Sequence, residues 1–230
     1  MYFYNHREFY DLSDMGILTV DSVSKYYGHK IILNDVAFQV KNSDVFGIFG
    51  RNGSGKTTLL NVLLGLEKCD YVFRKYNNRK ITNDNIYKHF SYSSQKLFIP
   101  DYLKVKQLLK LFNIKEKALI QNDELLSKSI ALKFKELSYG QKFYVQLFLV
   151  VHSKKEICVL DEPFSGLSPK YVDVMIQYIK AQKNKIFIIT DHNIEKLFEV
   201  SNKKAFLKQG KLFNADAMPL EEIKEMYYHK

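Results

Sequence analysis

Gly50-Arg51-Asn52-Gly53-Ser54-Gly55-Lys56-Thr57 decides how the rest of the sequence is read. The pattern is a glycine, four residues, a second glycine, a lysine and a hydroxyl residue, and each part has a physical job. Glycines let successive backbone N–H groups converge on phosphate oxygens with no side chain in the way. Lys56 would neutralise charge on the terminal phosphates, and Thr57 would offer its hydroxyl to Mg2+. Before the loop, Val45 to Phe49 is a short apolar run; after it, Thr57 to Leu64 spaces its leucines as a helix does. The order is strand, loop, helix, so the helix points its positive end at the bound anion. The expected binding set is Gly50, Asn52, Gly53, Ser54, Gly55, Lys56, Thr57 and Thr58, with ATP or GTP as ligand.

Working outward, Ile17 to Val23 and Val36 to Val40 read as two β-stretches joined across a polar turn around Gly28, an antiparallel start. From about Pro100 to Lys135, Leu103, Leu108, Leu111, Phe112 and Leu119 recur at helical spacing and predict a helical insertion. Beyond it the pattern predicts helix 140–152, strand 157–161, helix 169–182, strand 185–190 and helix 194–200. Alternation of this kind implies a parallel sheet covered on both faces. A terminal hairpin is expected from Lys204 to Phe213 about Gln209-Gly210, then a closing helix from Leu220 to Tyr227.

Composition narrows the class. At 230 residues, with 46% hydrophobic and 14% aromatic residues and few prolines and glycines, the chain has the profile of a packed globular protein. Its apolar runs are far shorter than the ~20 residues a bilayer demands, and the first residues lack the features of a secretory signal, so a cytoplasmic protein is expected. Residues 1–14 fall outside the scheme and are expected to be a disordered extension, with Met15 an alternative start. Cys69 and Cys158 have no metal-type spacing and are read as free thiols. A net charge of +10 would suit an anionic partner, but the lysines are scattered rather than massed, and no nucleic-acid binding is expected.

A second chemical signal is Ile157-Cys158-Val159-Leu160-Asp161-Glu162, an apolar strand ending in two acids. That arrangement places one carboxylate on Mg2+ and another beside the attacking water. Asp161 is the expected metal ligand and Glu162 the expected general base.

With these two segments in order, the sequence resembles the ABC ATPases, the motor subunits of ATP-binding-cassette transporters, over about residues 17–215. Leu137-Ser138-Tyr139-Gly140-Gln141 is similar to the family's Leu-Ser-Gly-Gly-Gln signature. The resemblance implies an α/β fold with a P-loop NTPase parallel sheet core, an antiparallel β subdomain and an inserted α-helical subdomain at about 97–140 within residues 15–230. It implies ATP and Mg2+ as ligands. Ser138, Gly140 and Gln141 would meet the nucleotide of an opposite protomer in a homodimer or heterodimer. Gln95 would reach Mg2+ and water, His192 would hold the γ-phosphate with Glu162, and Tyr27 would stack on adenine, with Tyr26 its rival. Two positions depart from the family: Tyr139 stands where glycine is usual, and Ser168 where aspartate is usual. The former should impair or tune closure over the nucleotide without abolishing it, and the latter puts communication between the two sites in doubt.

The implied function is a cassette that hydrolyses ATP to drive a separate transmembrane permease, peripheral on the inner face of the cell membrane. The short insertion resembles export-type cassettes. The rival is a soluble ABC ATPase clamping a non-membrane partner, for example of the iron–sulfur assembly type.

Overall fold

The computed structural model describes residues 16–115 and 117–228; the expected 1–14 extension and Met15 lie outside them. The chain opens with β1 (Ile17–Tyr27) and β2 (Lys30–Lys41), antiparallel with Leu18 opposite Val40 and joined at Gly28, whose φ is +56°. Both strands are longer than expected. The reason is a pair of irregularities: Ser22 and Asp35 sit at φ +55° and +54°, and the inward-facing set shifts from Leu18 and Val20 to Val23, and from Leu33 to Val36 and Val40. A bulge re-phases the two-residue alternation, which hides a continuous strand from a pattern reading.

β3 (Val45–Phe49) leads through the glycine loop into α1 (Lys56–Leu63). The hairpin β4 (Tyr71–Tyr76) and β5 (Arg79–Lys80) was not expected; it turns on Asn77 and Asn78, both left-handed, and adds to the first sheet in the order β2-β1-β4-β5. Its core position is filled by Arg74, whose buried guanidinium donates to the carbonyls of Val62 at 3.0 Å and Leu63 at 2.8 Å. The charge thus satisfies the orphan acceptors at the end of α1. After α2 (Ile86–His89) comes β6 (Phe90–Ser93).

The expected helical insertion is three short helices, α3 (Val105–Leu111), α4 (Lys117–Asn122) and α5 (Glu124–Ser129). They are followed by α6 (Tyr139–Val151), β7 (Ile157–Asp161), α7 (Pro169–Ala181), β8 (Ile186–Thr190) and α8 (Ile194–Val200), then β9 (Lys203–Lys208), β10 (Lys211–Asn214) and α9 (Leu220–Tyr228). The larger sheet runs β10-β9-β3-β8-β7-β6, parallel except for β10.

Alternation sorts its side chains into two cores. Phe46, Ile48, Ile157, Val159, Ile186 and Ile188 face α1 and the first sheet, while Phe49, Cys158, Leu160, Phe187 and Ile189 face α6, α7 and α8. Strands buried on both faces read as unbroken apolar runs, which is why these were legible. The insertion is fastened by buried Asp123. Its Oδ1 accepts the Leu126 N–H at 2.8 Å to cap α5, and its Oδ2 accepts the hydroxyls of Tyr144 in α6 and, at 2.8 Å, Tyr178 in α7.

Candidate functional site

The loop between β3 and α1 wraps around its own lysine. Lys56 is buried, and its Nζ donates to the carbonyls of Gly50 at 2.5 Å and Arg51 at 3.2 Å. Burial pushes the ammonium below its ordinary range, and Glu162 and Asp161 oppose that shift. Gly50, at φ +152°, admits no side chain, since a Cβ there would lie 2.6 Å from the Leu207 carbonyl. The Ser54 hydroxyl is shut off from solvent without a hydrogen-bond partner. A buried donor left unmatched inside a ring of glycines and a lysine fits a phosphate group.

Beside the loop lies an open cleft of about 300 Å3 lined by Tyr27, Asn52, Gly53, Gly55, Lys56, Thr57, Thr58, Glu162 and His192, together with Ile32. Tyr27 is in that lining and Tyr26 is not. The Tyr27 ring is held by its hydroxyl on Glu67 and by the Lys25 ammonium 4.5 Å from its centre.

At the end of β7, buried Asp161 accepts the Thr190 hydroxyl at 2.6 Å. Glu162 follows in the left-handed region at φ +56°, a conformation that costs a non-glycine residue on the order of 1 kcal/mol or more and recurs at functional sites. Neighbours hold it there: its N–H donates to the Thr190 carbonyl at 2.8 Å, and its carbonyl accepts Ser165 Oγ at 3.0 Å. The turn sends the carboxylate into the cleft, where it meets Nε2 of His192 at 2.5 Å and the amide of Gln95. Buried Asp191 accepts the N–H of Phe164 at 2.8 Å and of Asn193 at 2.7 Å, so one side chain braces the segments carrying Glu162 and His192.

Sequence reasoning missed two further supports. Gln146, fully buried in α6, donates to Ser93 Oγ at 3.1 Å and the Lys96 carbonyl at 3.2 Å, and accepts the Phe98 N–H at 2.9 Å, gripping the loop that bears Gln95. Tyr227 lies 3.1 Å from Nδ1 of His192. Neither carries a motif; a polar residue inside an apolar helical run was the only available signal for Gln146.

Ser138, Gly140 and Gln141 are not part of the cleft lining. Ser138 caps α6 by accepting the Gln141 N–H at 3.4 Å, and Gln141 Oε1 in turn accepts the Ser138 N–H at 2.9 Å. Gly140 is under no steric demand within the chain: a Cβ would meet only the Gly166 carbonyl, at 3.6 Å. Among the described residues no group of three or more His, Cys, Asp and Glu could hold a metal. The donors that remain near the loop, Thr57, Asp161 and Gln95, are hard oxygens, a set that suits Mg2+ shared with phosphate.

The ABC transporter family model matches residues 33–165. The chain belongs to the ABC transporter family. An uncharacterized ABC transporter ATP-binding protein of Methanocaldococcus jannaschii is 31% identical over 209 residues, 84% of this chain and 75% of that one. The phosphonates import ATP-binding protein of Fusobacterium nucleatum is 30% identical, covering 86% and 91% respectively. A solved ATP-binding subunit of an ABC transporter superposes with a TM-score of 0.78 over 90% of this chain and 98% of that chain; at 19% identity it bears on the fold alone. This ABC ATPase binds ATP and hydrolyses it as the ATP-binding subunit of a transporter.

Proposed function

We propose that Glu162 is the general base for ATP hydrolysis, and that the chain is one half of a two-cassette motor driving a separate membrane permease. The observation that carries the first part is the convergence of Gln95 and His192 on one carboxylate at the edge of the Lys56 cleft. A base needs to sit within reach of the water it activates and to be held in one orientation. In this reading the loop amides, Lys56 and Ser54 cradle the β- and γ-phosphates, Thr57, Asp161 and Gln95 would hold Mg2+, and Tyr27 stacks on adenine. Mg2+ supplies charge neutralisation at the transferring phosphate. Glu162 takes the proton from water, and His192 Nε2–H steadies the γ-phosphate against it.

The second copy follows from what the cleft lacks. Ser138 and the N–H groups at the start of α6 lie outside it, and Gly140 leaves that helix end open to an outside anion. A homodimer or heterodimer would bring this end onto the partner's γ-phosphate.

For the permease, support comes from a groove of about 520 Å3 between β6, the Gln95 loop and α3, lined by Phe90, Tyr92, Phe98, Leu111 and Phe112 among others. Phe98 and Leu111 are exposed within it, an apolar surface ready for a cytoplasmic segment of another protein. No helix among the described residues is long and apolar enough to cross a membrane; in this reading the permease holds the chain peripherally, on the inner face. The compact insertion of α3, α4 and α5 supports export; the import named for the Fusobacterium relative is that protein's own. Affinity purification of the full chain from native membranes should recover a polytopic partner, and recovery of soluble proteins alone would overturn the transporter reading.

A further inference from the structure

His192 is engaged at both ring nitrogens. Nε2 lies 2.5 Å from Glu162 Oε1, and Nδ1 lies 3.1 Å from the hydroxyl of Tyr227 in α9. That helix is firmly seated. Ile223 is fully buried, Leu220, Met226 and Tyr227 pack on the larger core, and Lys224 Nζ reaches Glu195 Oε1 at 2.7 Å in α8, the helix that begins just after His192. One face of α9 therefore meets the His192 segment at two points.

The protons follow from the partners. A carboxylate only accepts, so Nε2 carries the hydrogen toward Glu162. A neutral imidazole then has its lone pair at Nδ1, and the Tyr227 hydroxyl must donate to it. Burial, aided by Tyr228, Glu162 and Asp191, pushes this phenol above its ordinary range, which keeps it a donor. Without it, Nδ1 would face water, and each time the one remaining bond to Glu162 opened the ring could take its hydrogen to either nitrogen or turn away.

We propose that Tyr227 is a positioning residue for ATP hydrolysis, its hydroxyl holding His192 in the orientation and tautomer that present Nε2–H to Glu162 and the γ-phosphate. This rests on the roles given to His192 and Glu162 above. The closing helix thereby becomes part of the hydrolytic machinery, although none of its residues lines the Lys56 cleft.

The test compares Tyr227→Phe, which keeps the ring and removes the hydroxyl, with Tyr228→Phe in the full chain. Tyr227→Phe should lower kcat about fivefold to tenfold, the size of one hydrogen bond, with the KM for ATP within about twofold. Nitrogen-15 spectra of His192 should show the Nε2–H tautomer in the wild type and a mixture in Tyr227→Phe. Tyr228→Phe should match the wild type in both. An unchanged tautomer, with or without a fall in kcat, overturns the inference. So does undiminished turnover. His192→Ala separates the layers: if it hydrolyses ATP normally, the reading of His192 itself fails. If it is inactive while Tyr227→Phe is fully active, only the role of Tyr227 fails.

Discussion

The Tyr139 hydroxyl donates to the backbone carbonyl of Gln95 at 3.0 Å, while the Gln95 side chain donates to Glu162. The tyrosine that departs from the family signature thus binds its own chain, joining the start of α6 to the loop that serves the proposed base. Its ring lies parallel to Phe143 with centres 6.5 Å apart, which fixes the direction of the hydroxyl. Any movement of the end of α6 must break or carry this bond.

Tyr139→Phe removes that bond and little else. An exposed hydrogen bond contributes about 1 kcal/mol, or roughly fivefold in an opening equilibrium. Backbone amides of the Gln95 loop should therefore exchange about fivefold faster in Tyr139→Phe, while the melting temperature stays within about 2 °C. Equal exchange in the two proteins would show that Gln146 alone holds the loop.

Glu162→Gln keeps the side-chain shape and the bond from His192 but cannot take a proton. Steady-state ATP hydrolysis should fall at least about a hundredfold, the lower end of what a positioned base contributes. ATP binding should persist, and an ATP-dependent dimer should accumulate in size-exclusion chromatography. Turnover near the wild-type rate would remove Glu162 from the role of base.

Lys56 stood out in the sequence because it closes the glycine loop at the start of α1, and Asp161 and Glu162 because they end an apolar strand, two patterns that phosphate chemistry requires. Gln95, His192 and Tyr27 came only through the family resemblance, since a lone amide, imidazole or aromatic has no pattern of its own. Tyr227 was hidden because Leu220, Ile223 and Tyr227 form an ordinary amphipathic stripe, and a hydroxyl at its edge looks like packing. The hairpin of β4 and β5 escaped because Arg74 occupies a core position with a charge, and β1 and β2 were cut short where Ser22 and Asp35 break the alternation. Tertiary contacts decided all of these, and periodicity carries no record of them.

Asp123 offers a stability test away from the nucleotide. Its carboxylate serves the N-cap of α5 and two phenols, and burial followed by the bond to Asp123 pushes Tyr144 and Tyr178 far above the ordinary tyrosine range. Asp123→Ala leaves the Tyr144 hydroxyl buried without its acceptor and removes a helix cap, so it should destabilise the fold by about 3 kcal/mol in urea unfolding. Asp123→Asn, which keeps one acceptor, should cost about half as much.

Asp191 sets a pH dependence. Burial raises its carboxyl from 3.8 to about 6, against the opposing backbone N–H bonds from Asn193 and Phe164. The folded state therefore holds this proton more tightly than the unfolded chain. Below about pH 4 both states carry it, and the group's contribution to stability is fully present; between pH 4 and pH 6 the folded protein must release it from a buried site and stability declines; above that range the loss is complete. Asp191→Asn has no proton to release and lacks this slope. Unfolding free energies measured across pH 4 to 7 should show the wild type losing up to about 3 kcal/mol relative to Asp191→Asn. Parallel curves would mean that the two backbone bonds hold Asp191 ionised throughout, and that it braces the Glu162 and His192 segments as an anion at every pH tested.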